Sequence, residues 1–172
     1  MINQKLFNLL TKLPHITGRI QKTPGRPVPC YGYLLEGFAY EFYQTDKNEQ
    51  LVSWFWLDEE FVIPTSPHST IVFSKEADFI DFDYSAMFSS LRGNEENRED
   101  YYYARARHNL EIEERINDLQ YLSPFKNYLK LKQTKPAVFD YAGEEQIASF
   151  LNIGVSGLRR FMLKRQRFMK AW

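Results

Sequence analysis

The chain has 172 residues, 44% apolar and 16% aromatic, which places it among packed globular proteins rather than disordered ones. Lysine plus arginine and aspartate plus glutamate each total 22, so net charge points to no partner, and a single cysteine excludes an internal disulfide or a multi-cysteine zinc or iron–sulfur cage. No apolar run approaches membrane-spanning length and the N-terminus lacks a charged-then-apolar leader, so the expectation is a soluble, cytoplasmic protein with no membrane partner.

Leu6, Leu9, Leu10 and Leu13 have the spacing of a short amphipathic helix over Ile2 to Leu13, stopped by Pro14. TPGRPVP, Thr23 to Pro29, is dense in turn formers, and Cys30 after it reads as a small apolar filler. From Tyr31 to about Leu91 the texture is that of strands. Aromatic and β-branched residues flank Gly37, TDKN makes a turn, Leu51 to Leu57 is a strand, and STIVFS and DFIDFD are two more. Short strands at close spacing predict an antiparallel sandwich or roll.

After Leu91 the period changes. Asn94 is placed to cap a helix, with Glu95 and Glu96 in the first turn where the helix dipole favours acids. Tyr103, Ala106, Leu110, Ile112, Ile116 and Leu119 give one long helix a broad apolar stripe. That stripe packs on its own β-domain, or meets a second copy as well. Phe125 to Leu131 predicts a further helix, and KQTKPAVFDYAG a connector.

The segment EEQIASFLNIGVSGLRRFMLKR, Glu144 to Arg165, then reads as two helices around one sharp corner. Ile147, Phe150 and Leu151 form an apolar edge, and Ala148 allows close helix contact. Asn152 sits where the corner wants a left-handed backbone, and Ile153 plugs the core. In the second helix Leu158, Phe161, Met162, Phe168, Met169 and Trp172 fall largely on one face. Arg160, Lys164 and Arg167 share a stripe elsewhere, and Arg159, Arg165 and Lys170 add to it. Val155 to Trp172 holds six basic residues and no acidic one. This is the layout of a DNA-binding helix-turn-helix, and equally of a solvated basic face on an ordinary helical hairpin.

Nothing argues for an enzyme. His15, His68 and His108 are far apart with no ligand spacing, and there is no phosphate-binding glycine loop or G-x-S-x-G. Glu59 and Glu60, adjacent on a strand, would point to opposite faces. Tyr101, Tyr102 and Tyr103 serve core or dimer packing, or line a pocket under the roll. No cofactor or metal is implied.

The order β-roll, long helix, helix-turn-helix resembles the Crp/Fnr family of bacterial transcription regulators, especially short, divergent members. YLLEGFAYEFY is similar to the family's strand–Gly–strand unit, with Gly37 at its glycine, and LVSWFWLDEEFV to the strand leading to its nucleotide pocket. IASFLNIGVSGLRR is similar to its helix-turn-helix, typically I-A-S-Y-L-G-I-T before a helix with a base-contacting arginine. The resemblance implies an α+β chain in three parts. These are an antiparallel β-roll of jelly-roll type over 1–93, a long dimerisation helix over 94–123, and a winged-helix-like helix-turn-helix over 124–172. It implies a homodimer on double-stranded DNA, with Arg160 reading guanine or holding a phosphate. Arg159, Lys164, Arg165 and Arg167 would hold phosphates, and Ser156 would give one hydrogen bond.

The departures are informative. The family's cyclic-nucleotide cassette carries a Gly-Glu pair and a later phosphate-pairing arginine. Here Ile63 and Pro64 stand at the pair and Pro67 near the arginine, and the loop is shorter. Prolines remove N–H donors, and a buried phosphate without cation or donors is costly, so cyclic AMP is not expected. His68, Ser69 and Thr70 either bind another small polar effector or form an ordinary loop. Gly154 replaces the usual Ser or Thr cap of the reading helix, and Gly157 weakens that helix. The alternative function is a ligand-binding or protein-interaction module with a vestigial helix-turn-helix.

Overall fold

The computed structural model describes residues 15–17, 21–22, 31–66, 68–82 and 95–169. The helix expected over Ile2 to Leu13, the TPGRPVP turn, Cys30, Pro67 and the Asn94 cap lie outside these residues. Among the described residues, eight antiparallel strands form two four-stranded sheets. The first has the order β1 (His15–Thr17), β8 (Asp78–Phe82), β3 (Tyr31–Glu36), β6 (Glu60–Val62). The second has the order β2 (Gln21–Lys22), β7 (Thr70–Phe73), β4 (Ala39–Gln44), β5 (Gln50–Trp56). The aromatic and β-branched runs supply β3 to β5, β7 and β8, whereas β1, β2 and β6 have too few residues to show a period.

Gly37 carries the chain from the first sheet to the second. Its φ is +104°, and a Cβ there would come 2.8 Å from the Ala77 Cα, so only glycine fits. Its N–H donates to Asp58 Oδ1 at 2.5 Å. Asn48 takes φ 66° in the expected TDKN turn. Glu59 takes φ 60° in the turn before β6, so Glu59 and Glu60 are not the strand pair the sequence suggested.

The second sheet is covered on both sides. Ala39, Trp54, Trp56, Ile71 and Phe73 meet Leu34, Val62 and Phe79 of the first sheet in one buried cluster. Phe38, Phe42, Val52, Phe55 and Val72, from the other side, share a cluster with the C-terminal helices. This explains why the strands read as nearly continuous apolar runs instead of clean alternation.

Five helices follow among the described residues. The first, α1 (Glu95–Tyr121), is the expected long helix. Ser123 caps α2 (Pro124–Thr134), with Pro124 in the first turn, where a missing N–H costs nothing. The expected connector contains a one-turn helix, α3 (Val138–Tyr141), whose Val138 is fully buried. Last come α4 (Glu144–Phe150) and α5 (Val155–Met169). Tyr128, Val138, Ile147, Leu151 and Leu158 from these helices join the outer cluster of the second sheet.

Candidate nucleic-acid interface and effector loop

The corner between α4 and α5 follows from its sequence. Asn152 adopts φ 53°, the left-handed geometry expected of it. The Ile153 N–H donates to the Ala148 carbonyl at 3.0 Å and the Asn152 N–H to Ser149 at 2.9 Å, a Schellman pair that closes α4. Ile147, Ala148, Phe150 and Leu151 are all buried, and Ile153 packs against the core. Glu144 and Arg159, 2.7 Å apart, join the two helices across the corner.

On α5, Ser156, Arg160 and Lys164 follow one another at four-residue intervals, and all three are exposed. Arg160 has no hydrogen-bond or ion-pair partner among the described residues. Lys164 Nζ lies 4.7 Å from the Phe125 ring centre, and Arg159 is engaged by Glu144. Arg165 and Arg167 lie on α5, with side chains outside the described part. Leu158 is buried and Phe161 partly so, but Met162 is 37% exposed and Leu163 59%, so the inward face is narrower than the apolar spacing suggested. A Cβ on Gly157 would meet nothing nearer than 3.8 Å, so packing does not require glycine there.

The face of α4 away from α5 is fastened to the roll. The Val52 N–H donates to Ser149 Oγ at 2.9 Å, and Ser149 Oγ donates to the Gln50 carbonyl at 3.1 Å. One hydroxyl thus pairs one N–H and one carbonyl on the open edge of β5. Phe150 packs on Phe55 with ring centres 4.8 Å apart, an arrangement worth roughly 1 kcal/mol beyond its burial. Arg115 of α1 lies 3.7 Å over the Phe150 ring and donates to the Phe150 carbonyl. Lys135 Nζ bonds the Phe55 carbonyl and both Glu60 oxygens, each at 2.9 Å.

In the second candidate region the structure reveals a carboxylate the sequence reading passed over. Glu41, on the inward side of β4 with Ala39, is fully buried. Its Oε1 accepts from the Thr65 N–H at 2.9 Å and from Ser69 Oγ. Its Oε2 accepts from Ser53 Oγ at 2.7 Å and Thr65 Oγ1 at 2.6 Å. These four donors fill a carboxylate's four acceptor positions. Tyr43 OH supports the set, 2.6 Å from Thr65 Oγ1. Ser53 stands at a bulge, where Glu41 pairs with Trp54 and Phe42 with Val52. Of the three candidate effector residues, His68 is exposed, Ser69 is buried with its hydroxyl on Glu41, and Thr70 is buried at the start of β7. The signal for Glu41 was a lone acid on the inward face of AYEFY.

His108, which the sequence placed in no site, has a structural role. It is buried on the inner side of α1, its ring centre 5.1 Å from that of Trp54 and 6.4 Å from that of Trp56. Among the described residues Nε2 has no hydrogen-bond partner, and the Ile63 backbone lies near enough to favour the protonated ring. Burial lowers its pKa from 6.5 to about 4, with Lys135 adding to the fall and Glu111 and the Ile63 backbone opposing it. The folded state therefore refuses a proton that the unfolded chain accepts. The packing is fully stabilising above pH 6.5 and loses up to about 3 kcal/mol as pH falls from about 6.5 to about 4. In urea unfolding at a series of pH values, His108→Phe should lack that slope. An identical slope in both proteins would remove His108 from the account.

The broad stripe of α1 divides. His108 and Ile112 turn to the roll, while Tyr102, Tyr103 and Leu110 are 55%, 73% and 61% exposed, and Ile116 and Leu119 are 50% and 44% exposed. Among the described residues no three His, Cys, Asp or Glu side chains are placed to hold a metal ion, and no helix is long and apolar enough to cross a membrane.

Two antiparallel sheets followed by helices in this order form the Crp/Fnr-like cyclic-nucleotide-binding fold, of α+β class. The chain is similar over 90% of its length to FixK2 from Bradyrhizobium japonicum, covering 83% of that chain with a TM-score of 0.72 at 8% identity. It is similar over 96% to CLP, a c-di-GMP-responsive global regulator from Xanthomonas campestris, covering 92% of it (TM-score 0.66, 13% identity). Over 93% it resembles a cyclic nucleotide-binding domain containing protein from Listeria monocytogenes, covering 88% of that chain (TM-score 0.68, 11% identity). FixK2 and CLP are Crp/Fnr regulators, and identities this low carry the fold alone. In sequence, no protein-family model and no curated protein matches the chain.

Proposed function

We propose that the chain is a homodimeric, DNA-binding transcription regulator of Crp/Fnr type whose 63–69 loop does not take cyclic AMP. The observation that carries this reading is the basic side of α5. Val155 to Met169 holds five basic residues and no acidic one, and Ser156 and Arg160 stand exposed while α4 faces β5. A helix presented this way suits the major groove. Arg160 reads a base edge and Ser156 adds a hydrogen bond, while Arg159, Lys164, Arg165 and Arg167 neutralise phosphates. Arg159 leaves an exposed pair with Glu144 to do so, at little cost. The dimer forms along α1, where Tyr103 and Leu110 offer an uncovered apolar face. Glu41 supports the exclusion of cyclic AMP, since its carboxylate already occupies the loop's donors and would repel a phosphate.

A second reading, an interaction module with a vestigial reading helix, draws on Gly154, Gly157 and the engaged Arg159. Fluorescence anisotropy with random-sequence duplex DNA over a range of salt separates the two. A dimer using the four phosphate contacts of each chain should show a log–log slope near −7. Leu110→Glu should yield a monomer by sedimentation and roughly half that slope. Absence of binding at low salt favours the module.

A further inference from the structure

One large apolar side chain of α5 stands apart from the hydrophobic core. Leu158 is fully buried, and the Phe161 ring centre lies 5.2 Å from that of Phe125 and 5.9 Å from that of Tyr128. These residues close the inner side of the helix. Leu163 is on the other side and is 59% exposed. A single exposed leucine is ordinary, but this one occupies a particular place. At about 100° per residue, Ser156, Arg160 and Leu163 fall within about 60° of one another, roughly opposite Leu158. Leu163 thus stands on the same side of α5 as Arg160, one turn further along.

Counted from Ser156, the residues Arg159, Arg160 and Leu163 follow at the i+3, i+4 and i+7 positions. A helix lying in the major groove presents its base-reading side chains at that spacing. The two cations that flank Leu163 have other engagements. Arg159 reaches across the corner to Glu144 at 2.7 Å, and Lys164 lies over the Phe125 ring at 4.7 Å.

Leucine has no hydrogen-bonding group to offer a phosphate or a polar base edge. In the major groove guanine, cytosine and adenine present donors and acceptors, and covering these without a partner is costly. Among the four ordinary bases, thymine alone adds an apolar group there, its C5-methyl. An apolar side chain on this face is therefore favoured at one base and disfavoured at the others. Leu163 is about 4.5 Å along the helix axis from Arg160, so its base stands roughly one to two base pairs from the one Arg160 reads. We propose that Leu163 selects thymine by packing against the C5-methyl beside the guanine read by Arg160. The proposal rests on the regulator reading above and adds to it a second base determinant of a different chemistry.

The test is anisotropy titration of the full chain on an operator selected from a random duplex library. The same operator is then made with deoxyuridine in place of thymidine, one position at a time. Each change removes a single methyl from the DNA and leaves the protein intact. One such position, beside the guanine on which Arg160→Ala loses its preference, should weaken binding about threefold to fivefold per half-site, the effect of one methyl withdrawn from apolar contact. Leu163→Ala should bind the thymine and uracil operators nearly equally. Its salt slope on random-sequence duplex should be unchanged, because no phosphate contact is lost. Three results would each overturn the proposal: an operator with no thymine beside that guanine, equal binding of the two operators by the unsubstituted chain, or an unchanged thymine-to-uracil ratio in Leu163→Ala. All three leave operator binding intact and so do not touch the regulator reading. Absence of binding to any duplex would overturn that reading and this proposal with it.

Discussion

Glu41→Ala should lower the unfolding temperature by about 6–12 °C. The side chain removed is a small part of the chain, but it accepts from four donors in a fully buried place. Each buried polar group left without a partner costs about 1–3 kcal/mol. Not all four remain stranded. Ser69 Oγ can turn wholly to the Ser66 carbonyl at 2.7 Å, and Ser53 Oγ to the Glu41 backbone carbonyl at 3.4 Å. The Thr65 N–H has no such freedom. A net loss of about 3 kcal/mol follows, and a chain of this size loses about 2–4 °C for each kcal/mol. Formate added to the variant should recover part of the loss, because it returns a carboxylate to the same donors. Scanning calorimetry measures both effects. An unchanged transition would mean that the 63–69 loop is not held by Glu41, and the argument against an anion there would lapse.

The parts of the fold legible in the sequence are those set by residues a few positions apart. Asn152 announced a left-handed corner because few residues tolerate that backbone, and Gly37 marked the break between two strands. β5, β7 and β8 showed as aromatic and β-branched runs, and α1 as a helical period. The features that were not legible join distant segments. Thr65 is 24 residues from Glu41, and Ser149 is 97 from Val52. Nothing local in IASF marks its serine as the partner of a strand edge. Met162 shows the same limit on a helix. Its spacing puts it with Leu158, but the docking of α2 and α4 decides which side of α5 is covered. α3 was read as connector because four residues are too few to carry a helical period. The packing of the segments after residue 124 was not legible either, since Tyr128, Ile147 and Leu158 share one buried cluster with Phe42 and Phe55 of the roll, far away in sequence.

That shared core bears on how the basic helix would meet DNA. With α4 fastened to β5 through Ser149 and Phe150, and to α1 through Arg115, the direction of α5 is fixed before any DNA arrives. Such preorganisation avoids ordering a domain on binding and makes each side chain of α5 answer for its own contact. Arg160→Ala should therefore weaken binding to an operator, selected from a random duplex library, by about 10–100-fold, the 1–3 kcal/mol of a bidentate guanine contact. The loss on unrelated duplexes should be much smaller. Lys164→Ala should cost less and cost it evenly, lowering the salt slope by about one per chain, as a phosphate contact does. Its ammonium already rests 4.7 Å from the Phe125 ring, which gives it a second use and dilutes its share of the DNA contact. Anisotropy titrations of the three proteins on operator and scrambled duplex decide the matter. Equal losses on both duplexes for Arg160→Ala would make Arg160 a phosphate contact and leave the row from Ser156 to Lys164 without a base reader.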